Sequence, residues 1–288
     1  MMAALGLVPR PAVAHSASSM EKLTDLIFSA QKGLALDLFL PASAPRAVVL
    51  YLHGGGFTRG SRKGDQSAAL VAKLLDAGLA IAFADYRLGV GPEAFSPSEA
   101  EAIAQMQART KATGLTVAKG LCGSAMMAAV EDVSDAVRAI RTGAVCDRLK
   151  SLPVIILGVS AGGIAGLSLA YPPTAWRDAL CPPDGVIALC AAMVQPWRLR
   201  RDGPPAVMLH GPIDRIIAPA NPRLAARRAA KIGAPLRLVT STVRGHNSQI
   251  TAFLTGTSPE GAPYFDLLTA MLSEIETQKS DPDCLSSP

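Results

Sequence analysis

The chain has 288 residues, 49% of them hydrophobic and 5% aromatic, with a formal charge of +5, which is ample apolar material for one large core. No run approaches the roughly 18 uninterrupted apolar residues of a membrane helix, and the basic residues are scattered without a nucleic-acid-binding motif, so neither membrane nor nucleic acid is an expected partner. Five cysteines (Cys122, Cys146, Cys181, Cys190 and Cys284) show neither C-x-x-C nor metal-ligand spacing, and free thiols in a reducing cytoplasm are the simpler expectation.

Met1 to Val8 is apolar, but no basic residue precedes it and Pro9-Arg10-Pro11 cuts it short. That weighs against secretion, although Ala12-Val13-Ala14 imitates a cleavage site. Met1 to Ser19 reads as a loose tail; the N-terminal tail is drawn over 1–30 and a single domain over 31–280. Leu34 to Leu40 alternates in part and stops at Pro41, as an antiparallel edge strand would. Ala47 to Leu52 is a continuous apolar run of buried-strand type that leads into His53-Gly54-Gly55-Gly56-Phe57. Three glycines at the carboxyl end of a buried strand let backbone N–H groups turn toward an anion, and the absence of a G-K-[ST] ending excludes a P-loop. A helix is expected over Ser67 to Ala77, closed by Gly78, and a buried strand over Leu79 to Ala84, ending in Asp85-Tyr86-Arg87.

From Gly89 to Gly123 the alternation of strand and helix breaks down, and Ser96-Pro97-Ser98-Glu99 offers a capping box for a helix to about Gln107. So long an excursion reads as a lid at 89–123, with Ile103 and Met106 facing inward. Met126 to Ile140 is an amphipathic helix, and Val154 to Leu157 a buried strand. Gly158-Val159-Ser160-Ala161-Gly162 follows, with a small-residue helix behind it: a serine between glycines at a strand-to-helix junction fits a nucleophile elbow. Strands are expected at Gly185 to Leu189, Ala206 to His210 and Leu236 to Thr240. Asn221 with Pro222 starts a helix that Gly233 ends, and a last helix runs from Pro263 to Thr277 over Leu267, Leu268, Met271 and Ile275. The fold class is α/β: one mostly parallel sheet covered by helices on both faces.

A serine nucleophile needs a base, and the base needs an acid to hold its tautomer. Of four histidines, His15 lies in the tail and His53 is placed to brace the glycine loop, which leaves His210 and His246. His246 follows the last strand in a glycine-started loop and is the better base. Between Ser160 and His246 the acids are Asp178, Asp184, Asp202 and Asp214. Asp184 and Asp202 precede strands and Asp178 belongs near the elbow helix, so only Asp214, just past a strand end, is placed to reach the base. The expected chemistry is attack by Ser160 on a carbonyl carbon, with His246 as base and Asp214 as orienting acid. The N–H groups of Gly55, Gly56 and Ala161 form the oxyanion hole, and Gly54 and Phe57 belong to the supporting loop with His53. No metal or organic cofactor is called for.

Together these residues resemble the α/β-hydrolase superfamily, and within it the carboxylesterases that carry HGGGF and GxSAGG. The likeness runs from about Leu34 to Thr277 and includes Asp85-Tyr86-Arg87 and Glu131-Asp132. It implies the α/β-hydrolase fold, Ser160, Asp214 and His246 as triad, and short-chain ester substrates. Val159, where hormone-sensitive-lipase-type esterases carry aspartate, and the His210-Gly211-Pro212-Ile213-Asp214 context of the acid favour a prolyl-oligopeptidase-like or feruloyl-esterase-like branch. An aryl formamidase or small-amide hydrolase would share the machinery, and a non-catalytic ligand-binding member of the fold stays open. The expected partner is a small-molecule ester, with a homodimer left open.

Overall fold

The computed structural model describes residues 20–280, so the tail at Met1–Ser19, with its signal-like stretch, and Cys284 lie outside them. The tail drawn to residue 30 is corrected by a strand, β1 (Glu21–Ser29), which pairs antiparallel with β2 (Leu34–Leu40). β1 escapes a periodicity reading because Asp25 turns to φ 56° and the register slips between Leu23 and Leu26. Leu23, Leu26 and Phe28 are half-buried on either side of that break, so no alternation spans the strand. β2 is consequently not an edge: β1 flanks it on one side and β4 (Ala80–Ala84) on the other, and all seven of its residues are buried.

Eight strands form the sheet in the order β1-β2-β4-β3-β5-β6-β7-β8. From β4 onward the pairing is parallel, through β3 (Val48–Leu52), β5 (Val154–Val159), β6 (Gly185–Leu189), β7 (Ala206–His210) and β8 (Leu236–Thr240). Parallel strands need crossovers, and the crossovers bury both faces, which is why β3, β5 and β6 read as continuous apolar runs. Alternation persists underneath. Val154 and Ile156 of β5 pack with α3 (Ser124–Thr142) and α4 (Ala161–Ala170), while Ile155 and Leu157 pack with α1 (Ala68–Asp76) and α7 (Asp266–Ser280).

The segment 89–123 is ordered and built around α2 (Pro97–Ala112). Ser96 caps α2: its hydroxyl accepts from the Glu99 N–H, and the Glu99 carboxylate accepts from the Ser96 N–H at 2.9 Å. Ile103 is buried in the core and Met106 packs against it, and the Thr110 hydroxyl donates to Val194 O at 3.1 Å. α5 (Ala220–Ile232) ends at Gly233 in the left-handed conformation, φ 70°, as its sequence predicts. Its start differs. Asn221 does not cap it; the residue lies within the first turn, and its Oδ1 accepts the Thr116 N–H at 2.9 Å. A short helix, α6 (Gln249–Thr255), was not expected, and α7 starts at Asp266 rather than Pro263, because Tyr264 is buried and Pro263 bridges to Thr257. Among the described residues no helix is long and apolar enough to cross a membrane.

Candidate active site

Four parallel strands end on one edge of the sheet and deliver the site. β5 runs into Ser160, which sits at φ 53° and ψ −115°, a conformation most side chains avoid. The turn can be this sharp because glycines stand two positions to either side: a Cβ on Gly158 would lie 2.5 Å from Gly162 backbone, and one on Gly162 would lie 2.3 Å from Leu52 O. The Ser160 N–H donates to Leu189 O at 2.8 Å, tying the elbow to the end of β6. The hydroxyl therefore stands at the first turn of α4, where helix N–H groups point outward.

β8 and β7 supply the partners. His246 Nε2 is 2.8 Å from Ser160 Oγ, and His246 Nδ1 is 2.7 Å from Asp214 Oδ2. Asp214 Oδ1 accepts the N–H groups of Ile216 at 2.8 Å and Ile217 at 3.0 Å, so both carboxylate oxygens are held. The loop bearing His246 is fixed to the acid's loop by the Gly245 N–H donating to Ile213 O at 2.7 Å. Gln249, fully buried, donates its Nε2 to Val243 O and Gly245 O and clamps the same loop from behind. The competing acids lie elsewhere: Asp184 pairs with Arg141 and Lys279 at the other end of the strands, and Asp202 pairs with its neighbour Arg200.

β3 delivers the glycine loop. Gly54 lies against Ser160, a Cβ there being 3.4 Å from Ser160 Cβ. Gly55, Gly56 and Phe57 follow at φ 110°, 67° and 63°, three successive residues that turn their N–H groups away from the strand direction. No protein acceptor meets the N–H of Gly55, Gly56 or Ala161 among the described residues. His53 braces this loop: its Nδ1 is 2.7 Å from Gly54 O, and its ring stacks on Tyr86 at 4.2 Å. Tyr86 donates its hydroxyl to His53 O at 2.7 Å, and burial pushes that phenol's pKa up, so it remains a donor. Phe57 is buried edge-on to Tyr86. Beyond the glycines, Arg62 anchors the loop by pairing with Asp25, Asp37 and Asp85.

Above Ser160 opens a cleft of about 1060 Å³. Ser160, His246, Gly55, Gly56 and Ile216 line it, together with Ala118, Gly120 and Leu121 from the end of the 89–123 segment. Sequence reasoning missed Tyr86, Gln249 and Ile216 as contributors. Tyr86 had a signal, its place just past a buried strand; Gln249 had none, since α6 itself was not read. His210 lies at the end of β7, buried behind Asp214 rather than facing Ser160.

No curated protein matches the chain. The family model BD-FAE matches residues 36–107, from β2 into α2 and across the glycine loop. Among solved structures, a truncated carbohydrate esterase from gut microbiota superposes with a TM-score of 0.65 at 15% identity, covering 92% of this chain and 99% of that one. Est2, a thermophilic esterase of Thermogutta terrifontis with propionate bound, gives 0.60 at 18% identity, covering 90% and 94%. The same esterase phosphoramylated by tabun gives 0.59 at 18% identity, covering 91% and 95%. The chain has the α/β-hydrolase fold. In this fold Ser160 after β5 and Asp214 after β7 sit at the carboxyl edge of the sheet, where open α/β sheets bind ligands.

Proposed function

We propose that this α/β hydrolase is a serine hydrolase of short-chain carboxylic esters, acting through an acyl-enzyme. One observation carries the reading: a continuous relay from Asp214 Oδ2 through His246 to Ser160 Oγ, with links of 2.7 and 2.8 Å, opening into a cleft beside unpartnered backbone amides. Ser160 Oγ attacks the ester carbonyl carbon while His246 Nε2 takes its proton. The developing oxyanion is met by the N–H of Ala161, helped by the positive end of α4, and by those of Gly55 and Gly56; each such donor is worth on the order of 10² to 10³ in rate. His246 then gives the proton to the departing alkoxide, and water, activated by the same imidazole, releases the acid and restores Ser160. Asp214 keeps Nδ1 protonated and stabilises the imidazolium in both halves.

Ester substrates of modest acyl length are supported by Est2, whose structures hold propionate and butyrate. A reducing cytoplasm suits the four described cysteines, all free. The test is a fluorophosphonate probe followed by peptide mapping, run beside nitrophenyl esters of increasing acyl length. An adduct on Ser160 with acetate-to-butyrate esters cleaved fastest is the expected result. An unlabelled protein would sink the hydrolase reading.

A further inference from the structure

Behind the acid stands a second histidine for which the relay has no use. His210 is the last residue of β7 and is 2% exposed. Its Nε2 lies 2.9 Å from Ile217 O and 3.4 Å from Asp214 Oδ2, the oxygen that also faces His246. Its Nδ1 is buried and makes no hydrogen bond of acceptable geometry, although the Ala191 backbone lies near enough to the ring to favour a proton on it. A carbonyl accepts only, so the ring must carry a proton on Nε2 and donate it to Ile217 O, while the Asp214 carboxylate stands 3.4 Å from the same nitrogen as an electrostatic neighbour.

We propose that His210 is a positioning residue for Asp214, holding the acid's turn closed against the end of β7 through its Nε2–H on Ile217 O. The inference rests on the roles given above to Ser160, Asp214 and His246. Its geometry is that of a staple. Ile217 N–H and Ile216 N–H donate to Oδ1 from one side of the turn, and His210 takes the carbonyl of the same Ile217, so the turn from 214 to 217 is tied at both polar groups of its last residue.

The ring is neutral in this arrangement. Burial pushes the His210 imidazole below its ordinary range; Asp214 and the backbone of Ile217 and Ala191 pull the other way, and His246 repels a second positive charge. Removing the Nε2–H should free the Ile217 carbonyl and loosen the turn that presents Asp214 to His246.

The experiment compares His210→Leu, which keeps bulk but no donor, with His210→Gln, whose amide N–H can reach the place of Nε2. In His210→Leu kcat should fall roughly tenfold with KM unchanged, because His210 does not line the cleft. His210→Gln should recover kcat. Wild-type kcat in His210→Leu would overturn the proposal, as would equal losses in both variants. A readout independent of folding in the variants is the ¹⁵N spectrum of the wild-type histidines. At neutral pH His210 should be a neutral Nε2–H tautomer, and an Nδ1–H tautomer or a protonated ring there would refute the staple. Wild-type protein that takes no fluorophosphonate at Ser160 would instead overturn the hydrolase reading, leaving the tautomer result to stand by itself.

Discussion

Backbone strain gathers at the cleft. Of the five described non-glycine residues with positive φ, Ser160 and Cys190 directly follow β5 and β6, and Phe57 closes the glycine loop that follows β3. Such conformations cost about 1–3 kcal/mol each and persist only where the surroundings dictate them. At Ser160 the dictating contact is the close approach of Gly162 to Leu52 O and His53 O, so Gly162→Ala cannot be relieved by rotating a side chain. It should cost about 2–4 kcal/mol and abolish fluorophosphonate labelling. Native thermal stability with full labelling would show that β3 and α4 are not in contact there. Asp214→Asn probes a different property, since an amide oxygen can still accept from Ile216 and Ile217 and keep the turn, while the charge facing His246 is lost. Steady-state kinetics should show kcat lowered by roughly 10⁴ with the fold intact; near-normal turnover would remove Asp214 from the acid's role. These three side chains are legible in the sequence because each follows a strand of a parallel sheet, and parallel strands end on one edge. His210 also follows a strand, and only the direction of its ring, which no sequence pattern encodes, sets it behind the acid.

At the scale of elements, periodicity served well where a segment is buried in one register and failed where it is not. β6, β7 and β8 coincide with their apolar runs to the residue, and the capping box of Ser96 and Glu99 locates the start of α2. β1 failed because a bulge divides its pattern, and α6 because its few residues cannot show a 3.6-residue repeat. Asn221 is the instructive error. Followed by proline, it carries the signature of a helix cap, yet its side chain serves the neighbouring segment by accepting the Thr116 N–H. That bond fastens the return path of 89–123 to α5, just before Ala118, Gly120 and Leu121 line the cleft. Asn221→Ala should leave α5 helical but strand the Thr116 amide, at a local cost of about 1–3 kcal/mol. Hydrogen exchange is the sensitive measurement: protection should fall at Thr116 and its neighbours and hold through α5. If protection drops along α5 instead, the side chain acts as a cap after all.

Across the whole molecule, the edge opposite the cleft is where the two helical layers are locked to the sheet. Asp184, just before β6, accepts from Arg141 of α3 at 2.5 Å, from Lys279 of α7 at 2.8 Å and from the Val154 N–H at 2.9 Å, so one carboxylate joins helices on opposite faces through the strand between them. Burial pushes its pKa up, but the hydrogen bonds and the two cations outweigh burial, and the group titrates below its ordinary value. Asp37, buried in β2, behaves alike: burial raises it, and the Asp25 N–H, Gln66 and Arg62 more than compensate. A carboxyl with a lower pKa folded than unfolded contributes in full above the ordinary aspartate value of about 4. The contribution is lost as pH falls through the depressed folded value. These two carboxylates should therefore contribute in full from neutral pH down to about 5 and lose that contribution below about 4, while buried His210, held below its ordinary range, costs stability as pH falls below the ordinary histidine value of about 6.5. Asp184→Asn should lose about 2 kcal/mol at pH 7, with kcat unchanged because the residue lies at the far ends of the strands from Ser160. Below the folded pKa the wild-type carboxyl is itself uncharged, so the gap between variant and wild type should close. Denaturant titrations at neutral and at acid pH decide this: a gap of equal size at both would mean that shape, and not charge, makes Asp184 the joint between the layers.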